Sequence, residues 1–207
     1  MFNVCPGCGR YDAEREVPPH EAVAVCRACG HVQPFRRLPL FVLTGASGAG
    51  KSTIGLRLPA LLPECVVLDS DVLWRPEFAT PQDGYRSYRE LWLRLVKDVH
   101  QSGRSVVLCG AAIPEQFERC VERRYLATIH YLALVCDPET LAMRLAARPR
   151  WRRSGEPETV ERMQAFNRWL RDDAAGTDPP IALFDTTAAS PEQTAAAVAG
   201  WVRERLC

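Results

Sequence analysis

Gly45-Ala46-Ser47-Gly48-Ala49-Gly50-Lys51-Ser52 fits the spacing G-x-x-x-x-G-K-[ST], with Thr53 directly behind it. Glycines at these places let the backbone turn tightly, so that successive N–H groups face inward and cradle phosphate oxygens at the start of a helix. A lysine in the seventh place reaches the β- and γ-phosphates, and a hydroxyl in the eighth holds Mg²⁺. The pattern therefore reads as a nucleoside triphosphate site, with the backbone from Gly45 through Thr53 as its cradle, Lys51 on the phosphates and Ser52 on magnesium. A second group is the acid pair Asp69-Ser70-Asp71, which follows the apolar run Cys65–Leu68. Alternation along an extended chain turns both carboxylates the same way, provided strand geometry persists. Helix capping by either acid is the competing reading. Five arginines between Arg144 and Arg153 form the third group. Their planar forks pair oxyanions bidentately, which suits a lid clamping a phosphoryl group in transfer, with Arg144, Arg148 and Arg152 foremost. A solvated basic helix end is the alternative there.

Four of the nine cysteines fall into two C-x-x-C pairs, Cys5–Cys8 and Cys26–Cys29, each followed at once by a glycine, Gly9 or Gly30. In a reducing compartment such pairs point to metal rather than to disulfides. Four thiolates in two knuckles match closed, tetrahedral, structural zinc, and the segment resembles a zinc ribbon. A redox dithiol would need a thioredoxin-like βαβ setting, which the surrounding sequence lacks. So short a segment holds no core alone, so Zn²⁺ supplies much of its folding free energy. Its role reads as a structural cap, with a recognition module for substrate, protein or nucleic acid as the alternative. Arg36 and Arg37 are too few to make a nucleic-acid patch. His20 and His31 read as solvated loop residues and Cys207 as an idle terminal thiol. Cys65, Cys109, Cys120 and Cys136 read as small buried hydrophobes.

Elements must place these groups. Continuous apolar runs at Phe41–Leu43, Cys65–Leu68, Ser105–Cys109, Thr128–Cys136 and Ile181–Phe184 suit buried parallel strands. Helical spacing intervenes at Thr53–Leu62, Glu90–Gln101, Pro114–Arg124, Glu139–Ala147 and Val160–Asp172, and a closing helix runs to about Arg205. Trp169 and Trp201 read as core aromatics. The fold class that follows is α/β, a doubly wound parallel sheet of about five strands with flanking helices, preceded by the ribbon. The domains divide as 1–37 and 38–207. No acid stands at the end of the Ser105–Cys109 run, where Gly110-Ala111-Ala112 follows instead, so a metal's carboxylate falls to Asp69-x-Asp71. These small residues also leave room for a substrate near the backbone. A formal charge of +1 supplies no bulk attraction toward nucleic acid or membrane. There is no apolar run of bilayer length and no signal segment at Met1, so the expected location is cytoplasmic.

From Leu38 to Leu206 the chain resembles the small-molecule and nucleotide kinases of the P-loop NTPase class. The resemblance rests on Gly45–Thr53, Asp69-Ser70-Asp71, the arginines of Arg144–Arg153 and Asp185-Thr186-Thr187. The acid pair is similar to that of shikimate and gluconate kinases; chloramphenicol phosphotransferases and polynucleotide 5′-kinases also place an aspartate there. The resemblance implies Asp69 beside Mg²⁺ and Asp71 orienting or deprotonating an acceptor hydroxyl. It also implies Thr186 and Thr187 in an adenine-side loop that reads the base. The expected activity is transfer of the γ-phosphoryl of ATP (or GTP) to a hydroxyl or phosphate of a small metabolite, nucleoside or nucleotide. A polynucleotide 5′-kinase, or a nucleotide-dependent ATPase or switch whose ribbon binds a partner, are the alternatives. The chain departs from shikimate kinases at the glycine triplet, present only as Gly110-Ala111-Ala112, and shows no clear counterpart of the arginines that read the shikimate carboxylate.

Overall fold

Strands that are apolar along their whole length need helices over both faces of the sheet, and the fold meets that need. The computed structural model describes residues 3–11 and 15–206, so Cys207 lies outside the described residues. Two short antiparallel strands come first, β1 (Val23–Val25) and β2 (Val32–Pro34), with the second cysteine knuckle between them. Both knuckles close alike. The Gly9 amide donates to the Cys5 carbonyl and the Gly30 amide to the Cys26 carbonyl, each at 2.8 Å. Gly9 and Gly30 share a φ of 72°, a left-handed turn that glycine adopts without penalty.

The main sheet is built from β3 (Leu40–Gly45), β4 (Cys65–Asp69), β5 (Ser105–Cys109), β6 (Ile129–Val135) and β7 (Ile181–Asp185). The strands lie parallel in the order β4-β5-β3-β6-β7. Alternating residues of β3 feed two cores. Leu40 and Val42 join the cluster of Trp92, Val96 and Leu170, whereas Phe41 and Leu43 join that of Ile54, Leu58 and Val198. One face is thus covered by α3 (Arg86–His100) and α6 (Pro157–Asp173), the other by α1 (Lys51–Gly55), α2 (Leu58–Leu61) and α7 (Pro191–Arg203). Two further helices, α4 (Pro114–Glu118) and α5 (Pro138–Ala146), follow β5 and β6. Chain direction across the sheet reverses at β3, the switch point beyond which ligands bind in folds of this type. Among the described residues no helix is long and apolar enough to cross a membrane.

Four element boundaries differ from the sequence expectation. The helix expected over Thr53–Leu62 is two short ones, because Pro59 has no N–H to give the Gly55 carbonyl and its ring crowds that position. The helix expected over Pro114–Arg124 stops at Glu118; Cys120 is extended, and a 3₁₀ turn over Val121–Tyr125 follows. Helix α3 starts one turn before Glu90, where Arg86 and Ser87 carry no apolar signal, and α6 starts at Pro157 rather than Val160. The single-residue cysteines match expectation: Cys65, Cys109, Cys120 and Cys136 are all buried. His20 and His31 are exposed.

The N-terminal segment docks on the second half of α3. Ala24 and Phe35 belong to the same apolar cluster as Trp92 and Tyr125, and the Phe35 and Tyr125 rings meet edge-on at 5.5 Å. Buried Lys97 pairs with buried Glu122 at 2.9 Å and donates to Asn3 Oδ1 at 2.9 Å. Arg37 donates to the carbonyls of Pro19 at 2.7 Å and Arg124 at 3.2 Å. This arginine is a structural pin rather than a free surface charge.

His100, at the end of α3, is fully buried, and burial pushes its imidazole down from 6.5 to about 4, opposed in part by a backbone contact with Pro39. The folded state therefore keeps the ring neutral where the unfolded chain binds a proton. This stability is complete above the unfolded value and is lost as pH falls from 6.5 toward 4. The shift corresponds to roughly 3 kcal/mol at the acid end of that window. Denaturant titrations from pH 7 to pH 4 should show a shallower loss of stability for His100→Leu than for the wild type; parallel curves would refute this role.

Candidate functional site

The phosphate loop leaves the central strand β3 and opens α1, turning through Gly45, Gly48 and Gly50 at φ values of 138°, 93° and 109°. Helix α6 steadies it from the side, the Ser47 amide meeting Met163 Sδ at 3.4 Å. Asn167 locks α6 to β6 by exchanging hydrogen bonds with the Cys136 amide and carbonyl. Lys51 folds along the loop, donating to the carbonyls of Gly45 at 2.7 Å and Ala46 at 3.0 Å. Burial pulls its ammonium down to about 8; Arg148 adds repulsion, and Asp71, Cys109 and Asp69 work the other way. Arg148, Asp71 and Asp69 thus each lie close enough to act on the Lys51 ammonium.

A cavity of about 340 Å³ opens over the loop, lined by Gly48, Ala49, Gly50, Ser52 and Thr53 on one side. Arg144, Arg148, Thr186 and Pro191 line the other. The two arginines share a face as their spacing predicts, but their partners differ. Arg144 braces the wall, donating to Thr186 Oγ1 at 3.0 Å and to its carbonyl at 2.8 Å. Arg148 is half-buried, its guanidinium lowered by burial and by neighbouring Arg152. Thr186 is buried and reaches the Ala49 carbonyl at 3.3 Å, which joins the loop after β7 to the phosphate loop. Thr187 is exposed; its amide donates to Asp185 Oδ1 at 2.8 Å and its hydroxyl accepts from the Asp137 amide at 2.9 Å. Arg152 stands outside this cavity over the exposed Trp151 ring, 5.1 Å from its centre, and Arg153 pairs with Glu156.

On the other side of the loop lies the acid pair. Asp69 is the last residue of β4, in register with Cys109. Strand geometry does not persist beyond it: Ser70–Leu73 is a 3₁₀ turn, and Asp69 Oδ1 caps it by accepting from the Asp71 amide at 2.9 Å. The carboxylates are thus neighbours through a turn, not through alternation along a strand, and the capping reading coexists with exposure of both acids. Asp69 and Ser52 line one cavity of about 300 Å³, so a carboxylate and a hydroxyl, both hard oxygen donors that suit Mg²⁺, open onto the same space. The expectation for Gly110-Ala111-Ala112 needs correction. A Cβ on Gly110 would fall 1.9 Å from Ser70 Oγ, so the missing side chain makes room for Ser70 and not for a substrate. Of the three, Ala111 alone is exposed.

Two groups near the acids escaped the sequence reading. Tyr88 is buried on α3 and its hydroxyl donates to the Ser70 carbonyl. Arg89, 6% exposed, donates to the carbonyl of Ala111 at 2.8 Å and to Gln116 at 2.9 Å. Their adjacency to Trp92 and Leu93 at helical spacing was the available signal, but it marks a buried face without saying what that face touches.

The cysteine cluster is a separate centre. The four sulfurs of Cys5, Cys8, Cys26 and Cys29 lie within 4.8 Å of one another, with Cys5–Cys29 at 3.7 Å and Cys8–Cys26 at 3.9 Å. Sulfurs held about 2.3 Å from a central zinc in a tetrahedron stand roughly 3.8 Å apart. The donor set and its spacing fit that ion.

A parallel sheet with the phosphate loop behind its central strand is the P-loop fold. The family model for the AAA domain matches residues 40–172, and the chain belongs to that family. It is 37% identical over 112 residues to a shikimate kinase of Chlorobaculum tepidum, covering 51% of this chain and 57% of that protein. It is 35% identical over 116 residues to a shikimate kinase of Chlorobaculum parvum, covering 51% and 58%. The chain thus spans little more than half the length of these relatives. A sugar kinase from Janibacter sp. HTCC2649 superposes with a TM-score of 0.58 at 20% identity, over 82% of this chain and 95% of that one. A shikimate kinase from Acinetobacter baumannii, solved with shikimate, does so with a TM-score of 0.51 at 20% identity, over 82% and 96%. These structures share the fold.

Metal analysis of the purified protein should return stoichiometric zinc, and chelation or Cys26→Ser should lower the thermal midpoint of the whole chain by several degrees, because Ala24 and Phe35 lie in the main core. Absence of bound metal, or an unmoved midpoint after stripping, would remove the zinc assignment.

Proposed function

We propose that this chain is a phosphotransferase that moves the γ-phosphoryl group of ATP to a hydroxyl or phosphate of a small metabolite, nucleoside or nucleotide. The observation that supports it most directly is the phosphate loop itself, with Lys51 laid along its carbonyls, Arg144 and Arg148 lining the cavity over it, and Asp69 sharing a second cavity with Ser52. A donor held by the loop amides would place its terminal phosphate between the cations and the acid turn. Lys51 and Arg148 are positioned to meet the phosphate oxygens, with Arg144 bracing the base-side wall at Thr186 and Thr187, and Arg152 arriving when the segment around it closes. Asp69 and Ser52 would hold Mg²⁺, which would supply positive charge to offset that of the phosphates. Asp71, exposed beside them, is the group to orient or take the proton of the acceptor. GTP remains a candidate donor.

We further read residues 1–37 as a zinc-held cap and 38–207 as the catalytic unit, at work in the reducing setting of the cytoplasm. The two C-x-x-C knuckles, a metal-binding pattern of reducing compartments, support that setting.

Lys51→Ala should abolish phosphoryl transfer. Asp71→Asn should slow turnover by roughly 10²- to 10⁴-fold, the usual worth of a general base, while leaving ATP affinity nearly unchanged. Both are read by an ATP-consumption screen over nucleosides, nucleotides, sugars and antibiotics, with nucleotide binding measured in parallel. Full turnover in Asp71→Asn would strike that residue from the mechanism, and failure of the wild type to bind ATP would end the kinase reading.

A further inference from the structure

The turn that carries Asp71 also carries an open aromatic wall that the phosphate chemistry does not use. Trp74 closes the turn, its amide donating to the Asp71 carbonyl at 3.0 Å. The residue stays 44% exposed, and Val72 on the same turn 75% exposed. Trp74 is nevertheless firmly held: its ring meets Tyr88 at 5.2 Å, nearly perpendicular, and Tyr85 at 6.1 Å. Tyr88 in turn abuts Trp92 in the core at 6.4 Å and fixes the Ser70 carbonyl through its hydroxyl. Wall and acid are therefore parts of one rigid piece.

A core role alone would bury the indole, since a tryptophan contributes to stability by the apolar area it removes from water. Here the ring is oriented by its neighbours and left open next to the acid. Arg89 stands behind the same rings, 5.4 Å from the centre of Tyr88 and 5.9 Å from that of Tyr85. Its Nε has no hydrogen-bond partner among the described residues. No aromatic ring is among the described residues lining the nucleotide-side cavity.

We propose that Trp74 is the stacking wall of the acceptor subsite, and that the acceptor hydroxyl is carried on a flat unsaturated ring system, a nucleobase or an aryl group, rather than on an open-chain or saturated-ring polyol. The inference rests on the phosphotransferase reading, with Asp71 facing the hydroxyl and the ring lying against the indole. An aromatic platform favours flat π-faces, which match it over their whole area, above puckered, hydroxyl-covered rings, which offer it only a few C–H groups. Loss of such a platform weakens binding about tenfold or more per stacked ring.

The test offers ATP with two sets of acceptors: uridine, adenosine and phenylethane-1,2-diol in one, gluconate and shikimate in the other. Phosphorylated product is followed directly, and ATP affinity is measured separately. The expected result is transfer confined to the first set. Trp74→Ala should raise KM for the ring-bearing acceptor about tenfold or more without moving ATP affinity, and Trp74→Phe should restore it. The lower KM between nucleosides and the aryl diol then names the source of the ring. Transfer to gluconate or shikimate that ignores Trp74→Ala overturns the stacking wall and leaves the kinase reading standing. ATP binding without transfer to any ring-bearing alcohol also counts against the wall. A wild-type protein that fails to bind ATP fails at the earlier step, and the two failures are distinct.

Discussion

A charge placed where water is scarce must be balanced by what surrounds it, and Lys51 is the charge on which this site turns. Its ammonium rests on two carbonyls of its own loop, at 2.7 and 3.0 Å, so the backbone supplies the first shell of compensation. The second shell comes from Asp69 and Asp71 on one side, and Arg148 weighs against it on the other. Those neighbours come from three separate parts of the chain. Holding them around one nitrogen requires the strand order found here, with β3 at the centre, β4 reaching the site past β5, and the loop beyond β6 entering from the opposite side. The sheet is the frame; the balance of charge around Lys51 is what it is framed for.

Helix α3 connects two regions that look independent in the sequence. Its first half touches the acid turn through Tyr88, and its second half carries Lys97, which pairs with Glu122 and reaches Asn3 beside the first cysteine knuckle. Lys97 and Glu122 are both buried, and removing one partner of such a pair costs about 3–5 kcal/mol because the other is left uncompensated. The cysteine cluster is thus tied to the same helix that touches the acid turn. A small module that inserts Ala24 and Phe35 into the main core cannot be removed without opening that core.

What could be read from the sequence follows from which interactions are local. The phosphate loop, the two knuckles and the five apolar strands are each specified within about a dozen neighbouring residues, and each stands where the pattern put it. The acid turn was legible as a pair of residues but not as geometry. Whether Asp69 and Asp71 point together depends on where β4 stops, and that is decided by the capping bond from the Asp71 amide and by Tyr88, seventeen residues further on. Gly110 was misread for the same reason. A missing side chain looks like space until Ser70 is seen to fill it. The surroundings of Arg89 and Trp74 were invisible because their neighbours come from other elements. Arg144 was read as a lid arginine for a phosphoryl group; its attachment to Thr186, which crosses from α5 to the loop after β7, was not legible.

The strand that often ends in a metal-binding acid in this fold ends here in Cys109. Register explains how the site tolerates that. Cys109 and Asp69 are partners across the β5–β4 ladder, so a carboxylate stands at the same height one strand over. Burial and the nearby Asp69 carboxylate push the Cys109 thiol up to about 12, which keeps it neutral. A second acid at that place would have added negative charge beside Asp69. With a neutral thiol on β5 and the acid on β4, the count of negative groups facing Lys51 is kept to Asp69 and Asp71. The carboxylate that shares a cavity with Ser52 is then also the cap of the turn that presents Asp71. Placing the acid on β4 ties the cavity beside Ser52 to the turn of Asp71 through a single side chain.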